Sequence, residues 1–288
     1  MTQDTEIRYM LRAAADSLRA AGSPSARLDA EVLLAEALQI SRGQLYARLR
    51  DPWPPDLLEP FGELLRRRLA GEPVAYIVGH KDFYGLDLLV DRRVLIPRPE
   101  TEELVGAVLA ALPEDATGPV ADIGTGSGAI ALALAKHRPN LRVYACDLSA
   151  DALEVAAANL AAHGLGDERV RLLLGDLGAP LPEPVVGIVA NLPYTLLDEV
   201  EPGVREWEPE AALCGGGRRG TGMITRLLEQ APSLLVPGGF IALEIAWDQA
   251  PILLPLASAA FPGAEIRVMT DFAERDRVLW IDDTSRSS

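Results

Sequence analysis

Gly118-Pro-Val-Ala-Asp-Ile-Gly-Thr-Gly-Ser-Gly-Ala129 carries an acid at the end of a short apolar run straight into three alternate glycines. Gly124, Gly126 and Gly128 permit backbone conformations and close approaches that a Cβ forbids, and Ile130-Ala-Leu-Ala-Leu-Ala135 after them are good helix formers. Strand, glycine turn and helix together predict a ligand cradle around Asp122, Gly124, Thr125, Gly126 and Gly128. Such a turn serves phosphates, dinucleotides or nucleosides. This one lacks the Gly-Lys-Ser/Thr ending of a phosphate-binding loop, and its glycines are spaced GxGxG rather than GxGxxG. The acid ahead of the turn favours a cationic or hydroxyl-bearing ligand over a pyrophosphate, and a tight turn with no ligand is the plain alternative.

Downstream of the cradle, strand and helix patterns alternate: Leu141–Cys146, then Ala152–Ala162, Val170–Leu174, Val185–Ala190 and Phe240–Ile245. That alternation predicts an α/β fold with a doubly wound, mostly parallel sheet, in which ligands bind beyond the carboxyl ends of the strands. Counting the strand that enters the cradle as the first, Asp147 ends the second strand, Asp176 follows the third and Asn191 ends the fourth. Asp147 lies 25 residues after Asp122, close to the interval at which an acid on the second strand reaches a ribose bound over the first turn. Ser149 is the better helix cap there, which frees Asp147 for a ligand. Asp176, in Gly175-Asp-Leu, reads as a turn residue on its own and as an adenine amino contact in this company.

Upstream, Ile7, Met10, Leu11, Ala14 and Leu18 recur at helical spacing up to Gly22, and a second helix follows Ser25 through Leu28, Val32, Leu33 and Ala37. After the break at Asp51-Pro-Trp-Pro-Pro, Leu57, Leu58, Phe61, Leu64, Leu65 and Leu69 form another apolar stripe. Residues 1–73 therefore read as a small helical domain. Residues 74–97 read as a β-hairpin linker, with β-like runs at Ala75–Val78 and Leu86–Val90. Residues 98–288 form the sheet domain. It opens on Arg98-Pro99-Glu-Thr-Glu-Glu, where flanking prolines hold Arg98 extended as a binding wall ahead of an acidic first helical turn.

The net charge of −15 lies almost wholly in the C-terminal part: residues 1–80 carry 10 basic and 11 acidic groups, residues 101–288 carry 13 and 27. This argues against broad, salt-driven nucleic-acid binding. No stretch approaches the roughly 18 uninterrupted apolar residues of a membrane span, and the polar, acidic start Met1-Thr-Gln-Asp-Thr-Glu resembles no secretory or transit signal. A cytoplasmic location is expected. Cys146 and Cys214 are the only cysteines, and His80, His137 and His163 show no ligand spacing, so no metal is expected.

The sharpest local motif is Asn191-Leu192-Pro193-Tyr194 after the apolar run Val185–Ala190. An Asn amide oxygen and a neighbouring backbone carbonyl can both accept from a planar NH2 and hold its face towards an electrophile, with Tyr194 packed on the flat group. This pattern belongs to enzymes that methylate planar, poorly nucleophilic nitrogens.

Taken together, these features resemble class I AdoMet-dependent methyltransferases of amino groups. Gly71–Gly79, Phe83-Tyr-Gly-Leu and Val94–Glu102 look like the linker signature of the peptide chain release factor glutamine methyltransferases, the HemK-type family, and so do Trp207–Leu213, Leu243-Glu-Ile with Gln249, and Asp271–Val278. The resemblance spans essentially the whole chain. It implies a Rossmann-like seven-stranded sheet whose last strand runs antiparallel, and transfer of a methyl group from S-adenosyl-L-methionine (AdoMet) to the side-chain amide of the glutamine in a release factor's Gly-Gly-Gln motif, leaving S-adenosyl-L-homocysteine (AdoHcy). By that similarity, Asp122, Gly124, Thr125, Gly126, Gly128 and Asn191 surround the cofactor, Asp147 holds its ribose and Asp176 its adenine. Asn191, Leu192, Pro193 and Tyr194, with Arg98 and Pro99, take the glutamine. The helical domain docks the release factor, and a monomer without direct nucleic-acid binding is expected.

The chain departs from the family pattern at Leu192, where a proline is usual, at the looser Gly215–Gly222 loop and at Glu274, where a glycine is typical. Asn-Leu-Pro-Tyr also occurs in enzymes resembling the rRNA adenine dimethyltransferases. Adenine-N6 methylation of DNA or RNA is therefore the alternative activity, and a non-catalytic AdoMet-binding scaffold the alternative outside enzymes.

Overall fold

The backbone divides at His80 into an all-helical unit and an α/β unit. A computed structural model describes residues 6–271 and 273–283; the polar start up to Thr5, the last five residues and Phe272 of the Asp271–Val278 motif lie outside the described residues.

In the helical unit, α1 (Ile7–Ala20) buries Ile7, Leu11, Ala14, Ala15 and Leu18 along one face, the spacing its apolar residues require. It packs on α2 (Ala26–Leu38), whose Leu33 and Leu34 are fully buried. The short α3 (Arg42–Ala47) starts in a capping box: Ser41 accepts from the Gln44 amide while the Gln44 side chain accepts from the Ser41 amide. After the proline break comes α4 (Leu58–Leu69), with Phe61 tilted against Trp53 at 5.5 Å between centroids. The β-like run at 75–78 is instead a short helix, α5 (Val74–Val78). Pro73 supplies a pre-set φ at its N-cap and Gly79 takes a left-handed φ of 80° at its end, so the terminators overrode the β-branched residues between them.

The hairpin does form, a few residues later, from β1 (His80–Phe83) and β2 (Leu86–Leu89). Then α6 (Pro99–Ala111) begins on Pro99, with Glu100 and Glu102 in its first turn. The sheet is built from β3 (Gly118–Ile123), α7 (Ala129–His137), β4 (Leu141–Asp147), α8 (Ala150–Ala162), β5 (Val170–Leu174) and β6 (Val185–Ala190). It continues through α9 (Pro202–Trp207), α10 (Gly222–Leu234), β7 (Leu235–Glu244), α11 (Ala250–Ala260), β8 (Glu265–Thr270) and β9 (Asp276–Asp282).

Among the described residues the sheet has seven strands in the order β5-β4-β3-β6-β7-β9-β8, and β9 runs antiparallel to both its neighbours. The helices cover both faces. One apolar core unites α6 and α7 with one face of the sheet, and a second unites α10 and α11 with the other. Gly187 on β6 has no Cβ because the Phe240 ring lies where one would stand, and Phe240 is stacked on Trp280 at 5.1 Å.

The chain winds outward from β3 to β5, then returns to lay β6 on β3's other side, so the crevice between β3 and β6 opens at their carboxyl ends. No helix among the described residues is long and apolar enough to cross a membrane. No group of three or more His, Cys, Asp and Glu side chains among them is placed to hold a metal ion.

Candidate active site

A cavity of about 400 Å³ lies at this crevice. The cradle forms its floor because the turn after β3 is tied to the end of β4: the Gly124 and Thr125 amides both donate to the Cys146 carbonyl at 2.8 and 2.9 Å, and the Gly126 amide donates to Asp147 Oδ2 at 2.8 Å. Gly124, with φ 76°, also lies so close to the exit of β6 that a Cβ there would stand 3.0 Å from Leu192 Cδ2. Gly128 serves a different purpose. It is absent from the cavity wall, and a Cβ on it would crowd Ala156 of α8 at 3.3 Å, so its lack of a side chain lets α7 and α8 pack.

Asp122 is likewise not on the wall. It is fully buried beneath the turn, where Oδ2 accepts from the Thr125 hydroxyl at 2.6 Å and the Ala131 amide at 3.0 Å, while Oδ1 has no partner. The reading of Asp122 as a ligand contact gives way to one in which it fastens the turn to the start of α7. Burial with one orphaned oxygen pushes its carboxyl from the ordinary 3.8 up to about 7. Because the folded state then binds a proton that the unfolded chain has released, this group's contribution is complete below pH ~4 and is lost as pH rises to ~7. Asp122→Asn keeps an acceptor oxygen without the charge. Its Tm difference from the wild type should therefore move in its favour by roughly 5 °C between pH 5 and pH 8, a shift that melting curves at the two pH values read directly.

Asp147 and Asp176 both line the cavity. Asp147 is partly engaged by backbone, with Oδ1 accepting from the Ser149 amide at 2.9 Å, while Ser149 itself caps α8. Asp176 is paired with Arg226 of α10 at 2.5 Å, a partner that no local pattern announced. Arg98 also reaches the wall, but its guanidinium is committed to Glu208 at 2.5 Å; the other Glu208 oxygen accepts from the Ile96 amide at 3.1 Å. Glu208 is buried, and Arg92 lies over the neighbouring Trp207 ring at 4.0 Å, so the 92–98 segment and the 207–212 segment are clasped together above the cavity. Pro99 starts α6 and does not line the cavity.

Asn191, Leu192 and Pro193 emerge from β6 onto the wall; Tyr194 turns behind it. The Tyr194 hydroxyl donates to Glu244 Oε1 at 3.0 Å, the Thr101 hydroxyl donates to Glu244 Oε2 at 2.7 Å, and Asn191 Nδ2 donates to Thr101 Oγ1 at 2.8 Å. Burial raises the Tyr194 hydroxyl's pKa, and the adjacent Glu244 adds to it; the hydroxyl is a donor and not a base. Burial also raises Glu244, against the pull of its two hydroxyl donors and of Arg277. Cys146, on the wall, is pushed up to about 12 by burial and the nearby aspartates, which leaves it inert as a nucleophile.

The loose glycine run closes on the same turn. The Gly215 amide donates to the Thr195 carbonyl at 3.0 Å, and a Cβ on Gly220, whose φ is 74°, would run into the Tyr194 carbonyl. Gln249 clamps both: its Nε2 donates to the Tyr194 carbonyl at 2.8 Å and to the Arg219 carbonyl at 2.6 Å. At the other departure from the family pattern, Glu274 holds a left-handed φ of 60°, the conformation a glycine takes without strain. Leu192 is buried against Gly124. Residue chemistry alone did not point to Thr101, Asn159, Glu208 or Arg226. Asn159 is the second tie on the cradle: it bonds both polar groups of Leu89 and donates to the Ser127 carbonyl at 2.8 Å. A buried Asn in an otherwise alanine-rich helix was the available signal.

Two family profiles match the chain, the PrmC N-terminal domain over residues 10–79 and the methyltransferase small domain over residues 105–205. Among solved structures, a methyltransferase from Pyrococcus furiosus aligns with a TM-score of 0.53 at 20% identity, covering 77% of this chain and 98% of its own, and shares the fold. The release factor glutamine methyltransferase of Moorella thermoacetica is 43% identical over 275 residues, 94% of this chain and 96% of its own. That of Cereibacter sphaeroides is 42% identical over 272 residues, 93% and 95%. Likeness at this level over nearly the whole chain makes it a member of the release factor glutamine methyltransferase family.

Proposed function

We propose that the protein transfers the methyl group of AdoMet to the side-chain amide nitrogen of the glutamine in a release factor's Gly-Gly-Gln motif. The observation that carries this reading is the Asn191 side chain on the cavity wall: its Nδ2 donates to Thr101, which sets the amide so that Oδ1 is the acceptor offered to an incoming NH2. Near-full-length relatives named for this activity support the choice of substrate.

The residues present fit AdoMet. The cavity has the size of a small-molecule site, its floor at Gly124 and Gly126 is bare of side chains, and acids stand at the ends of β4 and β5 for ribose hydroxyls and an adenine amino group. Gly124, Thr125, Gly126, Asp147 and Asp176 would hold it. When bound, AdoMet supplies an electrophilic methyl group on a sulfonium sulfur.

An amide nitrogen is a weak nucleophile because its lone pair is delocalised. Asn191 Oδ1 and the carbonyl of residue 192 accept from its two hydrogens, orient it, and stabilise positive charge as it develops on nitrogen. Pro193 keeps residue 192 out of helical backbone, so the carbonyl survives the loss of the usual first proline. The surplus proton leaves to water, and no general base is required. Arg98, held by Glu208, and Pro193 shape the entry for the glycine-flanked side chain.

The test is incubation with AdoMet and a purified release factor, followed by peptide mass spectrometry. One added methyl on the Gly-Gly-Gln peptide, absent when that glutamine is replaced, is the expected result. Methylation of adenine in DNA or RNA with none on the release factor would overturn it.

A further inference from the structure

Thr101, on the first turn of α6, and Glu244, the last residue of β7, are 143 residues apart in the chain, and both are buried. They meet the quartet after β6 at both ends, Thr101 through Asn191 and Glu244 through Tyr194. We infer that Thr101 and Glu244 form a relay that fixes which face of the Asn191 amide looks into the cavity, making them the positioning residues that restrict the site to NH2 donors.

A carboxylate only accepts, and Glu244 accepts at one oxygen from Tyr194 and at the other from Thr101. A threonine hydroxyl has a single hydrogen. Once that hydrogen is directed at Glu244, the oxygen has only acceptor capacity left for Asn191. The Asn191 amide must then turn its Nδ2 to Thr101, at 2.8 Å, and its Oδ1 away from it.

An asparagine free of this constraint presents either end at similar cost, and would accept from an NH2 or donate to a carboxylate. Here the choice is made by an acceptor oxygen of buried Glu244, two hydrogen bonds away. The consequence is selectivity between a glutamine and a glutamate side chain, which have the same shape. This step rests on the reading of Asn191 as the group that receives the substrate amide, but the orientation itself is a property of the protein alone.

The experiment has a substrate-free arm and a kinetic arm. In nitrogen-15 NMR of the full chain without substrate, the Asn191 side-chain amide is assigned by its disappearance in Asn191→Asp. Its Nδ2 hydrogens should exchange slowly in the wild type and in Thr101→Ser, which keeps the hydroxyl, and rapidly in Thr101→Val, which keeps only the shape. With the release factor as substrate, Thr101→Val should lower kcat by about tenfold to 100-fold at unchanged AdoHcy affinity, with a lowered Tm because Glu244 Oε2 loses its buried donor; Thr101→Ser should restore most of both, and competition by the Gln→Glu release factor should strengthen in Thr101→Val alone. Equal exchange and equal kinetics in the wild type and Thr101→Val would overturn the relay. If the wild type methylates no release factor, the substrate reading fails, while the exchange arm still decides the orientation.

Discussion

Asn191→Ala should slow methyl transfer to the release factor by about 100-fold to 1000-fold, the range seen when one fixed polar group facing developing charge is removed from an active site. The variant loses the Oδ1 acceptor and with it the hold on the amide plane. AdoHcy affinity, measured by titration calorimetry, should change little, because the floor of the cavity is tied to Cys146 and Asp147 and not to Asn191. Stability should also change little: the side chain is partly exposed, and the hydroxyl it leaves, Thr101, keeps its bond to Glu244. A loss in kcat with KM for AdoMet preserved marks an interaction made in the transition state. Equal losses in turnover and in AdoHcy binding would instead assign Asn191 to the cofactor.

The second large effect is expected in the helical unit. Asp29 is buried on α2, and it is satisfied by the Ser23 and Ser25 hydroxyls and by Arg68 Nε of α4, each at 2.8 Å. Its side chain is 8% exposed and that of Arg68 18%. Arg68→Ala leaves the carboxylate buried with two neutral donors and no countercharge, a loss of about 3 to 5 kcal/mol by analogy with other broken buried pairs. Urea unfolding should show it as a lowered midpoint. Replacing both partners, as in Asp29→Leu with Arg68→Met, should cost less than Arg68→Ala alone, because no charge is then stranded. If the double variant were as unstable as the sum of the singles, packing and not the stranded charge would be the cause.

The cradle was legible in the residues themselves. Alternate glycines behind an apolar run mean a strand leaving into left-handed backbone, and Gly124, Gly126 and Gly128 all have positive φ. Asp147, Asp176 and Asn191 were legible as residues at strand ends because the strands carrying them are apolar runs with clear boundaries. Three of the residues read as contacts are supports when seen in place: Asp122 lies under the turn, Gly128 lies between two helices and Tyr194 lies behind the wall. Sequence spacing gives the position of a residue along a strand or turn. It does not say which side of the layer a side chain enters once neighbouring strands have claimed the other.

What the sequence determined by itself is local and periodic: which runs become strands, where glycine must bend the chain, and that acids and an amide stand at strand ends. Periodicity did not reveal β8 and β9, and the seven-stranded sheet with its reversed strand came only from family likeness; the ladder pairings now show it. Tertiary structure alone decided the partners: Arg226 on Asp176, Glu208 on Arg98, Gln249 across two loops, and Thr101 with Glu244 beside Asn191. Thr101 and Glu244 are 143 residues apart in the chain. A buried polar group must find its hydrogen-bond partner wherever the fold brings one, and such a partner leaves no mark on the sequence near either residue.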